Sequence, residues 1–284
     1  MLRILAISSQ VACGHVGLSA IMPAAQALGS PIIALPSIIL SNHPGHPHVA
    51  GERVSPQTLE KMFAALDDNG WLGDIDRVLT GYLPSAEHVA FTANVIARVK
   101  TQSPGAEIIC DPVIGDELEG VYIDIEAARA IRDRLLPLAD MILPNAFELS
   151  WLTDTAIENE TAVLHAKQTL DSQTLADIAV LVTSVPTAEN GLMANVFCPR
   201  NATHTLSHTD RRATSCRFTV HPNVPKGTGD FFSGLIAAAT PFELATARTS
   251  ALAAASIGKP HLAIAEHGKD WLNAKAFPAF PITA

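Results

Sequence analysis

No pair of cysteines in this chain has the CxxC spacing of a zinc or redox site. The four present, Cys13, Cys110, Cys198 and Cys216, lie far apart and read as reduced thiols of a cytosolic protein. None of the eleven histidines belongs to an HExxH pattern, and His43, His46 and His48 sit among prolines, which favours a loop over a metal site. Basic residues form no run, and the net charge is −9, which argues against nucleic acid and anionic membrane as partners. No uninterrupted apolar stretch reaches the ~18 residues needed to cross a bilayer. The segment from Met1 to Ile7 is too short for the core of a signal peptide, so a cytoplasmic protein is expected. Neither GxxxxGK[ST] nor a GxGxxG after the first strand occurs, which excludes a P-loop and disfavours a dinucleotide fold. Aromatic residues are scarce at 5%, so a core must be packed with aliphatic side chains and alanine; the apolar fraction of 48% over 284 residues is enough for a large one.

What is present is an alternation of short apolar runs with helical periodicity. The pattern predicts strands at Arg3–Ser8, Ile32–Ile39, Arg77–Thr80, Glu107–Asp111, Met141–Leu143 and Ile178–Thr183. It predicts helices near Leu18–Leu28, Pro56–Asn69, Ala86–Lys100, Ile125–Leu135 and Ala162–Asp171, with two more after Gly229. Continuous apolar strands such as IIALPSIIL indicate a mostly parallel sheet covered on both faces. From about Gly191 to Thr219 the chain turns rich in Thr, Ser and His, as in hairpin strands at a sheet edge. No linker or repeat stands out, so the expectation is one doubly wound α/β domain over residues 1–284 with helices on both faces. Ligands of such sheets bind beyond the carboxyl ends of the strands. There the sequence places Ser9, Gly81-Tyr82, Asp111, Pro144-Asn145 with Glu148, and Thr183-Ser184. Each alone is ordinary loop chemistry; their agreement on one edge points to a site.

The stretch VPKGTGDFFSGLIAAAT, Val224 to Thr240, sets two glycines and an aspartate before an apolar helix. Gly227 and Gly229 leave backbone amides uncovered at the positive end of a helix, a natural anion hole. An aspartate at that place admits two readings. Asp230 can stabilise its helix as a first-turn carboxylate, by ~0.5–2 kcal/mol. It can instead deprotonate a hydroxyl that attacks a phosphoryl group held in the hole.

Together with SSQVACGHVGLSA, ILSNHP, TGYLPSAE, CDPVIGDE and PNAFEL, in that order from Ser9 to Gly234, this GTGD turn resembles the ribokinase-type small-molecule kinases, and among them the pyridoxal kinases. The resemblance implies a ribokinase-like fold and ATP-dependent phosphorylation of the 5′-hydroxymethyl group of a pyridoxal-type vitamer, with magnesium as cofactor. It implies Asp230 as base, and Gly227, Thr228 and Gly229 around the transferring phosphoryl group. Ser9, His43 and Tyr82 would meet the vitamer. Asp111 and Glu148 would act on magnesium and phosphate, largely through waters. Asn145, Thr183 and Ser184 would line the nucleotide cleft. GDELEGVY, Gly115–Tyr122, would be a flap over the nucleotide, with Asp116 and Tyr122 as contacts, mobile when no nucleotide is bound. The resemblance also implies a homodimer and leaves dependence on a monovalent cation open.

Three positions depart from the pattern. Pro44 follows SNH where the family commonly has a threonine, and it offers no donor. Leu18 stands where asparagine is frequent. Lys226 precedes GTGD where a small apolar residue is usual, and it reads as a solvated side chain before a phosphate contact. The same-class rival is a hydroxymethylpyrimidine kinase, against which GTGD weighs, since kinases of that kind often carry GTGC. A sugar kinase fits the opening segment less well. A non-catalytic vitamer- or nucleotide-binding protein on the same fold has no use for Asp230, Asp111 and Glu148 together.

Overall fold

The first strand shows how the core divides. In β1 (Ile4–Val11), Ile4 and Ala6 face one layer of helices while Leu5 and Ile7 face the other, and all four are fully buried. A strand buried on both sides must be apolar at every position, which is why IIALP-type runs replace alternation. The computed structural model describes residues 1–200 and 212–282.

Around β1 the sheet grows parallel on both sides. To one side lie β2 (Ile32–Leu40) and the short antiparallel β3 (Gly51–Arg53). To the other lie β4 (Arg77–Thr80) and β5 (Glu107–Cys110). A two-stranded antiparallel hairpin, β6 (Gly115–Asp116) with β7 (Gly120–Val121), stands apart from the sheet. The sheet continues from β5 through β8 (Met141–Ile142) and β9 (Ala179–Pro186), both parallel. It ends in antiparallel β10 (Leu192–Cys198), β11 (Thr214–Thr219) and β12 (Phe280–Pro281). The order is thus β12-β11-β10-β9-β8-β5-β4-β1-β2-β3. Covering one face are α2 (Pro56–Asp68), α3 (Ala86–Gln102), α4 (Ile125–Ala130, continued by a π-turn over Ile131–Leu135), α5 (Ala146–Thr153) and α6 (Glu160–Thr174). On the other face α1 (Leu18–Gln26), α7 (Thr228–Ala237), α8 (Phe242–Ala255) and α9 (Gly268–Leu272) pack together.

This is the doubly wound, mostly parallel fold expected, with the antiparallel strands at the edge. Part of the Gly191–Thr219 stretch lies outside the described residues. The differences in boundary matter near the site. β1 runs on to Val11, so Ser9 lies inside the strand and not after it, and a bulge between Ser8 and Ser9 sets its direction. β9 likewise continues past Thr183 to Pro186. Among the elements that periodicity missed, α5 is too short to show a period, although its Asn145-to-Glu148 capping box is legible in the sequence.

α9 was also unforeseen, yet it supplies Trp271, 1% exposed, whose ring meets Phe231 edge-on at 5.0 Å between centroids. Phe231 directly follows Asp230, so this contact backs the start of α7. Trp271→Ala is expected to cost ~3–5 kcal/mol in a denaturant titration; a loss below ~1 kcal/mol would show that α9 contributes little to the fold.

Candidate active site

The start of α7 is built around a position that only glycine can occupy. Gly227 has φ 111°, and a Cβ there would lie 1.9 Å from the carbonyl oxygen of His15. The loop after β1 therefore lies directly on the GTGD turn. Phe231 is the first amide of α7 to bond back, to Gly227 O at 2.9 Å. Among the described residues, the amides of Thr228, Gly229 and Asp230 have no backbone partner, and they open at the positive end of the helix.

Asp230 is partly buried, and its carboxylate is reached by an amide from another element, that of Gly17 at the start of α1. Burial pushes its carboxyl up to about 6, while the Gly17 amide pulls it down. Gly17 has φ 56° and ψ −137°, and a Cβ on it would lie 2.1 Å from the carbonyl oxygen of Ser9. Ser9, Gly17 and Asp230 thus form one tight contact across three segments.

Opposite them stand two more carboxylates. Glu148 is 3% exposed and accepts from the amides of Ile114 (2.7 Å), Gly115 (3.3 Å) and Asn145 (2.9 Å). Asn145 closes the capping box on the Glu148 amide at 2.8 Å and donates its side-chain N–H to Gly115 O at 2.8 Å. Asp111 accepts from the Ser233 hydroxyl at 2.6 Å and from the Val113 amide. Val113 takes φ 44°, costly for a β-branched residue, and the strained turn aims three successive amides at the two carboxylates. Even so, burial raises both carboxyls, and for Asp111 the charges of Glu148 and Asp230 add to it. The Tyr122 hydroxyl is raised as well, by desolvation and then by Glu148, Asp111, Asp230 and Asp116. Like charges crowd here.

The remaining site positions fall at the same edge. Tyr82 is held by its backbone: its amide donates to Ser8 Oγ (3.1 Å) and its carbonyl accepts from Ser37 Oγ (2.6 Å). His43 is half-buried, with Nδ1 accepting from the Gly45 amide at 3.0 Å; burial and then the Lys226 charge lower its pKa. Thr183 bridges to Asn145, its amide bonding Pro144 O at 2.9 Å. Ser184 has φ 57° and is held there by the buried Asn195, which accepts from the Ser184 amide (3.2 Å) and donates to Thr246 (2.9 Å). One expectation changes. Lys226 is neither a free solvated side chain nor turned to the anion hole; it pairs with Asp116 (2.7 Å) and Glu119 (3.1 Å) of the hairpin. Those pairs join the hairpin to the segment that leads into the GTGD turn. The carboxylate of Asp116 is fully engaged, since its other oxygen accepts from the Leu118 and Glu119 amides.

No group of three or more His, Cys, Asp or Glu side chains among the described residues is arranged to hold a metal directly. No helix among them is long and apolar enough to cross a membrane.

A family model for phosphomethylpyrimidine kinase matches residues 14–257. The chain belongs to this kinase family. Within the family its relatives are pyridoxal kinases. A pyridoxine/pyridoxal/pyridoxamine kinase of Bordetella avium is 33% identical over 81% of this chain and 74% of its own. A pyridoxal kinase of Leifsonia xyli is 31% identical over 84% of this chain and 80% of its own. Among solved structures, pyridoxal kinase from Entamoeba histolytica superposes with a TM-score of 0.87 at 25% identity, over 99% of this chain and 100% of the other. Pyridoxal kinase from Leishmania donovani, in complex with ADP and pyridoxamine, also gives 0.87 at 25% identity, over 99% of each chain. The family model covers every site position named above except Ser8 and Ser9.

Sequence reasoning missed Gly17, Ser233, Ser8, Ser37 and Asn195. Ser233 was the most accessible of them: a serine one turn after Asp230, in an otherwise apolar helix, lies on the face that carries the site.

The Gly17 contact yields a direct test. Gly17→Ala should lose about 1–3 kcal/mol of stability to backbone strain alone, with further loss from the clash at Ser9. Gly73→Ala, where a Cβ meets nothing within 4 Å, should be near neutral. Equal melting temperatures for the two variants would contradict the packing described.

Proposed function

We propose that this kinase transfers the terminal phosphoryl group of ATP to the 5′-hydroxymethyl group of a pyridoxal-type vitamer. The observation that carries the reading is Asp230, a carboxylate beside three unpaired amides at a helix start, raised to about 6 by burial and approached by the Gly17 amide from outside its own helix. A first-turn carboxylate serving its helix would need none of this. A base near 6 is ionised at neutral pH yet still able to take a proton from an attacking hydroxyl.

The roles follow from position. Asp230 takes the proton of the hydroxyl. The amides of Thr228 and Gly229, with Gly227 shaping the turn, stabilise charge developing on the phosphoryl oxygens, typically worth a few kcal/mol per donor. Ser9 and Tyr82, each fixed by backbone contacts, and His43 address the vitamer ring. Asn145, Thr183 and Ser184 flank the nucleotide, and Tyr122 with the Gly115–Val121 hairpin covers it and excludes water.

Magnesium fits this donor set as a water-mediated ion, because all Glu148 contacts are taken by amides and Asp111 gives one oxygen to Ser233. When bound, the ion would offset phosphate charge. Asp111 and Glu148 would orient its waters, and their raised carboxyls mark a place where a cation is favoured. A homodimer and a cytoplasmic location are supported by the family resemblance and the free cysteines; a single kinase domain is supported by one sheet running through the chain. The family description keeps hydroxymethylpyrimidine phosphorylation as the second reading, with GTGD and the pyridoxal kinase relatives against it.

A vitamer panel with ATP separates the two readings by product. Asp230→Asn should lower turnover ~10²–10⁴-fold with nucleotide binding retained. It should not lower the melting temperature near pH 7–8, since it removes an ionised carboxylate that burial disfavours. For the parent enzyme, activity should rise with pH through about 6 as Asp230 loses its proton. Near-normal turnover with earlier melting would return Asp230 to a helix-stabilising role.

A further inference from the structure

Lys226 stands where three segments meet. Its ammonium lies 2.7 Å from Asp116 and 3.1 Å from Glu119 on the β6–β7 hairpin, and its charge also acts on His43 in the loop after β2. Lys226 itself leads into the GTGD turn. The hairpin tip is drawn tight around Asp116, which accepts from the Leu118 amide at 3.0 Å and the Glu119 amide at 2.8 Å.

The tip is strongly acidic: Asp116, Glu117 and Glu119 fall within four residues. Its strand starts beside Glu148, which accepts from the amides of Ile114 and Gly115. An acidic strap over a site for a polyphosphate is repelled by its own ligand, since exposed charges interact within about 8 Å at physiological salt. Among the described residues, Lys226 is the one cation paired with the tip.

We propose that Lys226 is a positioning residue that neutralises Asp116 and Glu119 and so lets the acidic hairpin lie over an anionic nucleotide. This rests on the reading, given above, that the hairpin covers the nucleotide. The ammonium works on the strap and not on the phosphate, since both of its ion pairs are made with the hairpin. Because the side chain is half exposed, each pair is weak and salt-sensitive, and the effect should be several-fold and not absolute.

Steady-state kinetics with magnesium-ATP and pyridoxal test the proposal on four proteins: the parent, Lys226→Met, Lys226→Arg, and Lys226→Met combined with Asp116→Asn and Glu119→Gln. Lys226→Met should raise the KM for ATP roughly 3–10-fold, with a smaller change in kcat and an unchanged melting temperature. Lys226→Arg should stay near the parent. The triple variant, in which asparagine keeps the acceptor for the Leu118 and Glu119 amides, should recover most of the loss. An unaltered KM in Lys226→Met, or no recovery in the triple variant, would overturn the proposal; the second outcome would assign Lys226 to the phosphate itself. Amide exchange separates the two levels of inference. If magnesium-ATP fails to slow exchange over Gly115–Tyr122 in the parent, the strap reading falls and takes the proposal with it. If it slows the parent and Lys226→Met alike at subsaturating nucleotide, only the role of Lys226 falls.

Discussion

Everything at this site depends on α1 and α7 starting against one another. Three glycines allow it. Gly17 admits the Ser9 carbonyl, Gly227 admits the His15 carbonyl, and Gly234 lets α7 settle on Ile21 and Ala24 of α1. No side chain fits in any of these places, so the backbone approach is set by sterics and not by a tunable contact. Two helix starts then supply amides to one small volume. The Gly17 amide goes to Asp230, and those of Thr228 and Gly229 remain open. The sheet holds this pair from behind through β1, whose bulge at Ser8 and Ser9 lets one serine reach the Tyr82 backbone and the next approach Gly17.

A second constraint is electrostatic. The described site gathers Asp111, Glu148 and Asp230, and burial opposes ionisation of all three. The fold answers mainly with amides: those of Val113, Ile114, Gly115 and Asn145 point at the two carboxylates beside the hairpin. Amides carry no net charge, so the cluster stays favourable to cations. A chain of net charge −9 without a basic run offers phosphates backbone dipoles in place of a bank of arginines.

Much of this was legible in sequence because it is written locally. Continuous apolar strands give a parallel sheet, and the residues after each strand mark its carboxyl end. Two glycines before an apolar helix give the anion hole. What was not legible depends on partners distant in sequence. Lys226 has an ordinary solvated look until the hairpin is placed beside it. Ser233 is a lone hydroxyl in an apolar helix until Asp111 lies across from it. The approach of the Gly17 amide to Asp230 was not legible locally, because Gly17 lies about two hundred residues away in the chain. The helix α5 shows the converse case, with a capping box present in the sequence but too few residues to establish a period.

The contact of His15 with Gly227 joins positions roughly two hundred residues apart along the chain. Loop closure over such a distance is entropically costly and is reached late in folding. During synthesis, the β1–α1 loop, Ser9 and the Tyr82 support are complete long before the GTGD turn leaves the ribosome. A growing chain therefore carries Ser9 and Tyr82 before it has the open amides of Thr228 and Gly229 or the Asp230 carboxylate. The starts of α1 and α7 can meet only once the C-terminal part of the polypeptide has been made and docks.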